Sequence, residues 1–369
     1  MDIYNNMKVF MTVMFLVMSV RNVFPLDIYL STDKVNSTDA SGDIQNALNK
    51  ISKDKGGTLY LGKGTYNVSS NLVMFSNTRI IGDGMDTTKI RLNNYALPFV
   101  KNGSRKAGLI RGTFQNSYGC DNIVIANLTL DGNKENQYHD EESKYGRFGV
   151  FTEACVNVTF DGLKIHSMQG YGFYPHGAKP SDYAYNLRII NSVSYNNDWD
   201  GFTLDQTIGV YVKNCTAYSN GRHGFNVVTG TNQAIITNVT AYDNGYYYYK
   251  TDPGCGIAMQ DNMQFGTTNL TIFNALLSGD NKSGFCTVGN VTNLQMSNMT
   301  IRTSDRCIHL ASGVVNALIY NINCYNASKF MVSYSPVNLI AFNNTMNGTS
   351  IKPIPTPSPT PKSPKSPTP

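Results

Sequence analysis

Across the middle of the chain, apolar and polar positions alternate in short runs, and the runs recur at a nearly constant interval. Setting Ile189-Ile-Asn191-Ser-Val-Ser-Tyr195 above Val212-Lys-Asn214-Cys-Thr-Ala-Tyr218 and Ile236-Thr-Asn238-Val-Thr-Ala-Tyr242 spaces the asparagines by 23 and 24 residues. Asn274, Asn298 and Asn321 continue the series at 36, 24 and 23, and the one long interval holds the insertion Tyr246-Tyr-Tyr-Tyr-Lys250-Thr-Asp-Pro253. Each unit contains two or three β-rich runs separated by Gly, Asn or Asp, too little to bury its own apolar face, so units must stack. No Leu-x-x-Leu-x-Leu frame is present, and the pattern predicts an all-β, right-handed parallel β-helix in which each coil adds one rung to each sheet. Asparagines in register at a turn can hydrogen-bond from coil to coil. Upstream, Ile44, Leu48 and Ile51 have helical spacing, predicting an N-terminal amphipathic helix over Asp43–Ile51 that caps the open end of the solenoid. The stretches from Ala96 to Ser117 and from Asn133 to Ser143 are expected as loops.

A solenoid grows by adding turns, so 369 residues are expected to form one elongated domain, 26–350, rather than two or three. Lys8 followed by the apolar run Val9–Val20 has the form of a secretion signal, too short to span a bilayer, with a cut expected between Val20 and Asp27. This gives a signal segment over 1–25 and a secreted or wall-associated protein with no stable membrane insertion. From 351 to 369 the chain is mostly Pro, Ser, Thr and Lys and reads as an extended tail outside the core. Seven cysteines show no CxxC pair or zinc spacing, and an odd count leaves at least one free thiol if the rest pair. Asn-x-Ser/Thr triplets recur at one phase of the repeat, so they serve either as glycan acceptors or as a turn signature. A net charge of +5 excludes little: it is compatible with a polyanionic polysaccharide, and no Lys/Arg cluster of the density expected for nucleic acid is present, so no nucleic-acid partner is expected.

Candidate chemistry gathers on three neighbouring units. If Gly172-Phe173, Gly201-Phe202 and Gly224-Phe225 mark equivalent points on consecutive coils, then His176, Asp205 and Arg222-His223 fall on adjacent rungs about 4.8 Å apart. The outer face of stacked coils is a natural groove for a long sugar polymer. Singly, a Tyr, His or Arg on a β-surface is more often a packing or solvated residue. In one register they form a candidate site.

Tyr171-Gly-Phe-Tyr-Pro-His176, Asp200-Gly-Phe-Thr-Leu-Asp205 and Arg222-His-Gly-Phe-Asn-Val-Val-Thr229 resemble the active-site strips of the mannuronan C-5 epimerases, which modify alginate, and Leu128-Thr-Leu-Asp131-Gly-Asn133 adds a fourth match. The resemblance covers roughly Gly56 to Gly256. It implies catalytic roles for Tyr171, His176 and Arg222, and Lys144 is a looser match to a substrate-binding lysine. The family strip reads Tyr-Gly-Phe-Asp-Pro-His, so Tyr174 replaces an Asp here, and Gly177 stands where bacterial members carry Glu. The resemblance further implies a polymannuronate or alginate substrate, a monomer, no organic cofactor, and Ca2+ as the metal to consider, although no EF-hand or nine-residue calcium repeat is present.

Inverting carbon 5 of a uronate removes a proton beside a carboxylate and returns one from the opposite face. The reaction needs a neutraliser, a base and an acid. Arg222 suits the first because its guanidinium stays charged and grips a carboxylate through two donors. His176 is assigned as base and Tyr171 as acid. Tyr174, Asp200, Asp205, Asp131 and His223 are candidate substrate contacts, the aspartates alternatively serving as Asp-Gly turns and the histidine as packing. A polysaccharide lyase shares the neutraliser and the base but expels the oxygen at carbon 4. A decayed, purely binding β-helix is a further alternative. A pectinase-type hydrolase fits less well, since those enzymes use grouped aspartates and only Asp198 and Asp200 lie close together.

Overall fold

The structure is a computed structural model that describes residues 25–96, 108–112, 119–138, 147–178, 182–246, 254–261, 266–279, 283–303 and 305–354. Among the described residues the strands form an 18-stranded and a 10-stranded sheet, and the strands pair in parallel, rung on rung, apart from one antiparallel pair at the C-terminal end. This is the expected parallel β-helix, with parallel crossovers that take the right hand. The larger sheet bends along a line of asparagines in the left-handed region, among them Asn191, Asn214, Asn238, Asn274, Asn298 and Asn321, with φ between 52° and 56°. Asparagine tolerates this conformation better than other side-bearing residues. The repeat spacing is thus a corner spacing.

Amide ladders tie the coils together. Along the bend, Asn214 Nδ2 donates to Asn191 Oδ1 at 3.1 Å and Asn238 to Asn214 at 3.4 Å. A second exposed ladder, which the repeat alignment did not single out, runs through Asn122, Asn157 and Asn186 and resumes at Asn269, Asn293, Asn316 and Asn338. Asn157, Asn214, Asn238 and Asn269 give to a ladder the same Nδ2 atom a glycan would take, which favours the turn reading of their triplets.

Between the sheets, Phe173, Phe202 and Phe225 stack with centroids 4.5 and 4.7 Å apart and are fully buried. The glycine before each of them has a packing reason. A Cβ on Gly172 would lie 2.1 Å from Ser194 Oγ, and one on Gly201 would lie 2.8 Å from Asn220 Nδ2. That amide belongs to a third, buried ladder in which Asn197 donates to Asn220 and Asn220 to Asn244. The recurring Gly-Phe pair therefore marks where the backbone lies too close to Ser194 and the buried amide ladder to admit a Cβ.

The predicted helix spans Ser41–Lys53 and buries Ile44, Ala47, Leu48 and Ile51 against the first coils. Burial of each Ile or Leu is worth about 1.5–3 kcal/mol, which holds the cap on the open end. Two expectations are corrected. Within the stretch read as a loop, Gly108–Gly112 is a strand of the smaller sheet, paired with Leu72–Met74 and Phe148–Glu153, because Leu109 and Ile110 have core to fill. The tail, expected outside the core from 351, starts later. Ile351 and Ile354 pack on the core, and Ile354 exchanges backbone hydrogen bonds with Ala341, because the last coil needs an apolar cover. The signal segment, Lys144, most of the tyrosine insertion and the chain beyond 354 lie outside the described residues.

Three disulfides, Cys120–Cys155, Cys255–Cys286 and Cys307–Cys324, leave Cys215 as the free, buried thiol.

Candidate active site

The register aligns the strips. Phe173 pairs with Phe202 and Phe202 with Phe225, so Tyr174 and His176 lie beside Thr203 and Asp205, and Thr203 and Asp205 beside Asn226 and Val228. In Phe173–His176 the burial alternates, with Phe173 and Pro175 inward and Tyr174 and His176 toward the groove. On the preceding coil Phe151 and Glu153 occupy the same two columns. On the following side Ala258 and Gln260 do so.

Two charged centres result. At the first, His176 Nε2 lies 3.3 Å from Asp205 Oδ2, and Tyr174 Oη donates to that same oxygen at 3.3 Å. His176 Nδ1 meets the Gly177 carbonyl, so Nδ1 carries the hydrogen and Nε2 is the atom that exchanges protons. At the second, Asp200 is fully buried and accepts from the His223 backbone N–H at 3.0 Å, Thr203 Oγ1 at 3.0 Å and Asn226 Nδ2 at 2.8 Å. Arg222 Nε lies 3.8 Å from Asp200 Oδ1, and its NH2 donates to Gln260 Oε1 at 3.4 Å. The guanidinium thus stands on a buried carboxylate, with 16% of its side chain exposed.

Tyr171 bridges the two centres. Its ring lies 4.6 Å from that of Tyr174 and 4.7 Å, edge-on, from Trp199, and Arg222 hydrogen-bonds its phenol. Burial drives the Tyr171 phenol well above its ordinary titration range, Asp200 adds to the rise, and Arg222 opposes it. Burial, followed by Asp205, likewise raises Tyr174 well above its ordinary value. Both phenols therefore hold their protons at neutral pH and can donate them. Phe148 and Phe151, with centroids 5.1 and 5.6 Å from Tyr174, complete an aromatic wall.

The strip brings together Tyr171, Tyr174, His176, Asp200, Asp205, Arg222 and His223, but at different depths. Asp200 and His223 are fully buried, so they lie behind the groove face and support Arg222 rather than meeting it in the groove. His223 Nδ1 accepts from the Cys255 N–H, and its Nε2 faces Gln260. Asp131 is not brought to the strip. It ends a strand of the larger sheet among Arg91 at 3.5 Å, His166 at 3.8 Å and Lys89 at 3.9 Å, because Asp131 and His166 are register partners there. A cavity of about 440 Å3 lined by Lys55, Arg79 and Asn122 also lies against the larger sheet, and none of its lining residues belongs to the strip.

Several members escaped the sequence reading. Thr203 and Asn226 stand within the quoted strips, and the Gly-Phe register would have placed them in the Tyr174 column. Gln260 follows the insertion, where the interval breaks, and carries no local signal. Lys134, buried and bonded to Asp198 at 2.9 Å and Tyr246 Oη at 3.1 Å, anchors the start of the insertion beside Trp199.

The strip carboxylates do not form a converging oxygen set for Ca2+, since Asp200 is surrounded by donors and Asp205 by Tyr174 and His176. Among the described residues, the one cluster of three metal-type ligands is His223, Cys255 and Cys286, and its two sulfurs are joined in a disulfide.

A family model described as "Right handed beta helix region" matches residues 116–301. Mannuronan C5-epimerase AlgE1 of Azotobacter vinelandii is 33% identical over 211 residues, which is 54% of this chain and 14% of that protein. Alginate lyase 7 of the same organism is 37% identical over 211 residues, 55% of this chain and 23% of the relative. The chain thus spans less than a quarter of the length of either relative. Among solved structures, the A-module of Azotobacter vinelandii mannuronan C-5 epimerase AlgE4 superposes with a TM-score of 0.57 at 22% identity, covering 88% of this chain and 92% of the module.

Proposed function

This chain belongs to the right-handed β-helix family, and on that premise we propose that it is a polyuronate-modifying enzyme that inverts carbon 5 of mannuronate residues within alginate. The observation that carries the proposal is the convergence of Tyr171, His176 and Arg222 on one strip, with the guanidinium seated on buried Asp200 and the phenol kept protonated. Arg222 takes the substrate carboxylate and offsets the charge that grows as carbon 5 loses its proton. His176 Nε2 accepts that proton. Tyr171, across the site and hydrogen-bonded to Arg222, returns one from the other face, and the guanidinium stabilises the phenolate left behind. Tyr174, Trp199 and the Phe148–Phe151 wall supply flat apolar surface against which sugar rings can lie. Secretion and a monomeric state belong to the same proposal as expectations from the sequence, and Ca2+ is the metal that the sequence resemblance puts to the test.

The test is incubation of the full chain with polymannuronate, with and without Ca2+, read by proton NMR. Guluronate signals without chain shortening are expected. The likeness to an alginate lyase makes elimination the second reading. Its mark is the ultraviolet absorbance of a double bond conjugated with the carboxylate, together with falling chain length. Binding without either change would make the protein a polysaccharide-binding β-helix. His176→Ala is expected to cost about 10²–10⁴-fold in turnover. Arg222→Ala is expected to cost about 10²–10³-fold. Retained turnover in either variant would remove that residue from the mechanism.

A further inference from the structure

At position 174 the strip carries a phenol where the pattern it resembles has a carboxylate, and that phenol is held in place. Tyr174 packs edge-on against Phe148 at 5.1 Å and against Tyr171 at 4.6 Å, and its hydroxyl donates to Asp205 Oδ2 at 3.3 Å. The same oxygen lies 3.3 Å from His176 Nε2. Because the Gly177 carbonyl can only accept, His176 Nδ1 is committed as a donor, and Nε2 faces the carboxylate in one of two states. Either it is protonated and donates to Oδ2, or it is bare, with its lone pair turned to a charged oxygen. Only the bare state can take a proton from substrate.

A carboxylate whose charge is undivided favours the protonated imidazole. A hydroxyl donating to the same oxygen takes up part of that charge and makes the bare ring less unfavourable. We infer that Tyr174 is a positioning residue for proton transfer, which by donating to Asp205 keeps His176 Nε2 unprotonated and able to accept a proton. In the reaction, Nε2 takes the carbon-5 proton and its new N–H is donated to Asp205 Oδ2. Tyr171 loses its proton to carbon 5. Between turnovers the imidazolium releases its proton to water and Tyr171 regains one from water, so protons balance.

Among the described residues, charged and titratable groups face His176 from three strands. Glu153 faces it from the preceding coil as its register partner, Asp205 from the following coil, and Tyr174 from its own strand. Tyr171, Arg222 and Asp200 lie beyond Tyr174. Asp205 and Glu153 favour the protonated ring, and Tyr174 is the neighbour that moderates Asp205.

The inference rests on the proposed epimerisation for its chemical role but not for its test, which reads the imidazole itself. The protein has five histidines, so the His176 ring resonance can be assigned by its loss in His176→Gln and followed with pH in the full chain. In Tyr174→Phe the ring survives and the donation is lost. The His176 titration and the acidic limb of the rate profile are both expected to move to higher pH by about one unit, a roughly tenfold loss of rate below the limb. Tyr174→Asp, which adds a second carboxylate, is expected to move them at least as far. Asp205→Asn removes the negative charge that the Tyr174 hydroxyl moderates, while the amide oxygen can still accept. It should shift the titration to lower pH and make a further Tyr174→Phe change silent, so a folding defect in one variant leaves the others to decide. A His176 titration unmoved by Tyr174→Phe overturns the inference. If the parent chain turns over no substrate yet the titration moves, the proposed function fails and the Tyr174–Asp205–His176 coupling stands.

Discussion

Depth distinguishes the residues of the strip. Tyr171, Tyr174, His176 and Arg222 reach the groove, whereas Asp200 and His223 are sealed beneath it. Both kinds were legible as members of one constellation because Gly-Phe pairs give the register. Which of them touch substrate was not, since exposure depends on neighbours such as Thr203, Asn226 and Gln260 that come from three coils. Asp131 shows the same limit, because Asp-Gly reads alike at a turn and at a site, and only the sheet pairing sends it to His166. Asp200 carries a definite expectation. Replacing it by Asn keeps the shape but removes the counter-charge of Arg222 and turns one acceptor into a donor among donors. Breaking one side of a buried pair costs about 3–5 kcal/mol, so Asp200→Asn should lower the denaturation midpoint markedly and reduce turnover more than substrate binding. A midpoint equal to that of the parent would show that Arg222 does not depend on this carboxylate.

At the scale of the strand and turn, the repeat is enforced by two different asparagine positions. The exposed corner asparagines hold left-handed φ and a ladder bond, while Asn197, Asn220 and Asn244 form a buried ladder against the Gly-Phe column. The corner ladder was read from spacing. The buried one was not, because its residues do not stand out by type from other loop asparagines. Their different cost follows from burial. Gly201→Ala places a Cβ 2.8 Å from both Asn220 Nδ2 and the Gly224 carbonyl, contacts that cannot relax without moving the ladder. It should destabilise by about 1–3 kcal/mol. Asn214→Ala at the exposed corner should cost less, about 1 kcal/mol. Urea denaturation of the two variants checks the order, and equal midpoints would mean that the closeness of the buried ladder is not what selects glycine.

For the molecule as a whole, Cys120–Cys155 and Cys255–Cys286 staple neighbouring coils and Cys307–Cys324 ties the two sheets within one turn, closing spans of 35, 31 and 17 residues. Loop-closure entropy assigns about 3–4 kcal/mol to each. Burial pushes the Cys215 thiol up to about 12, so it is both covered and protonated. Without reductant, a thiol reagent at mildly alkaline pH should find no reactive group in the folded protein and one per chain after denaturation. More than one would contradict the pairing, and prior reduction should lower the thermal midpoint. By itself the sequence determined the solenoid, its period, the capping helix and the residues that fall on neighbouring rungs, because each of these follows from local periodicity repeated coil after coil. The tertiary structure alone decided the disulfide partners, the strand at Gly108–Gly112, the cover formed by Ile351 and Ile354, and the partner of Tyr174. Each depends on which side chains meet across coils and sheets, and the distance between two such atoms is set by packing rather than by their separation along the chain.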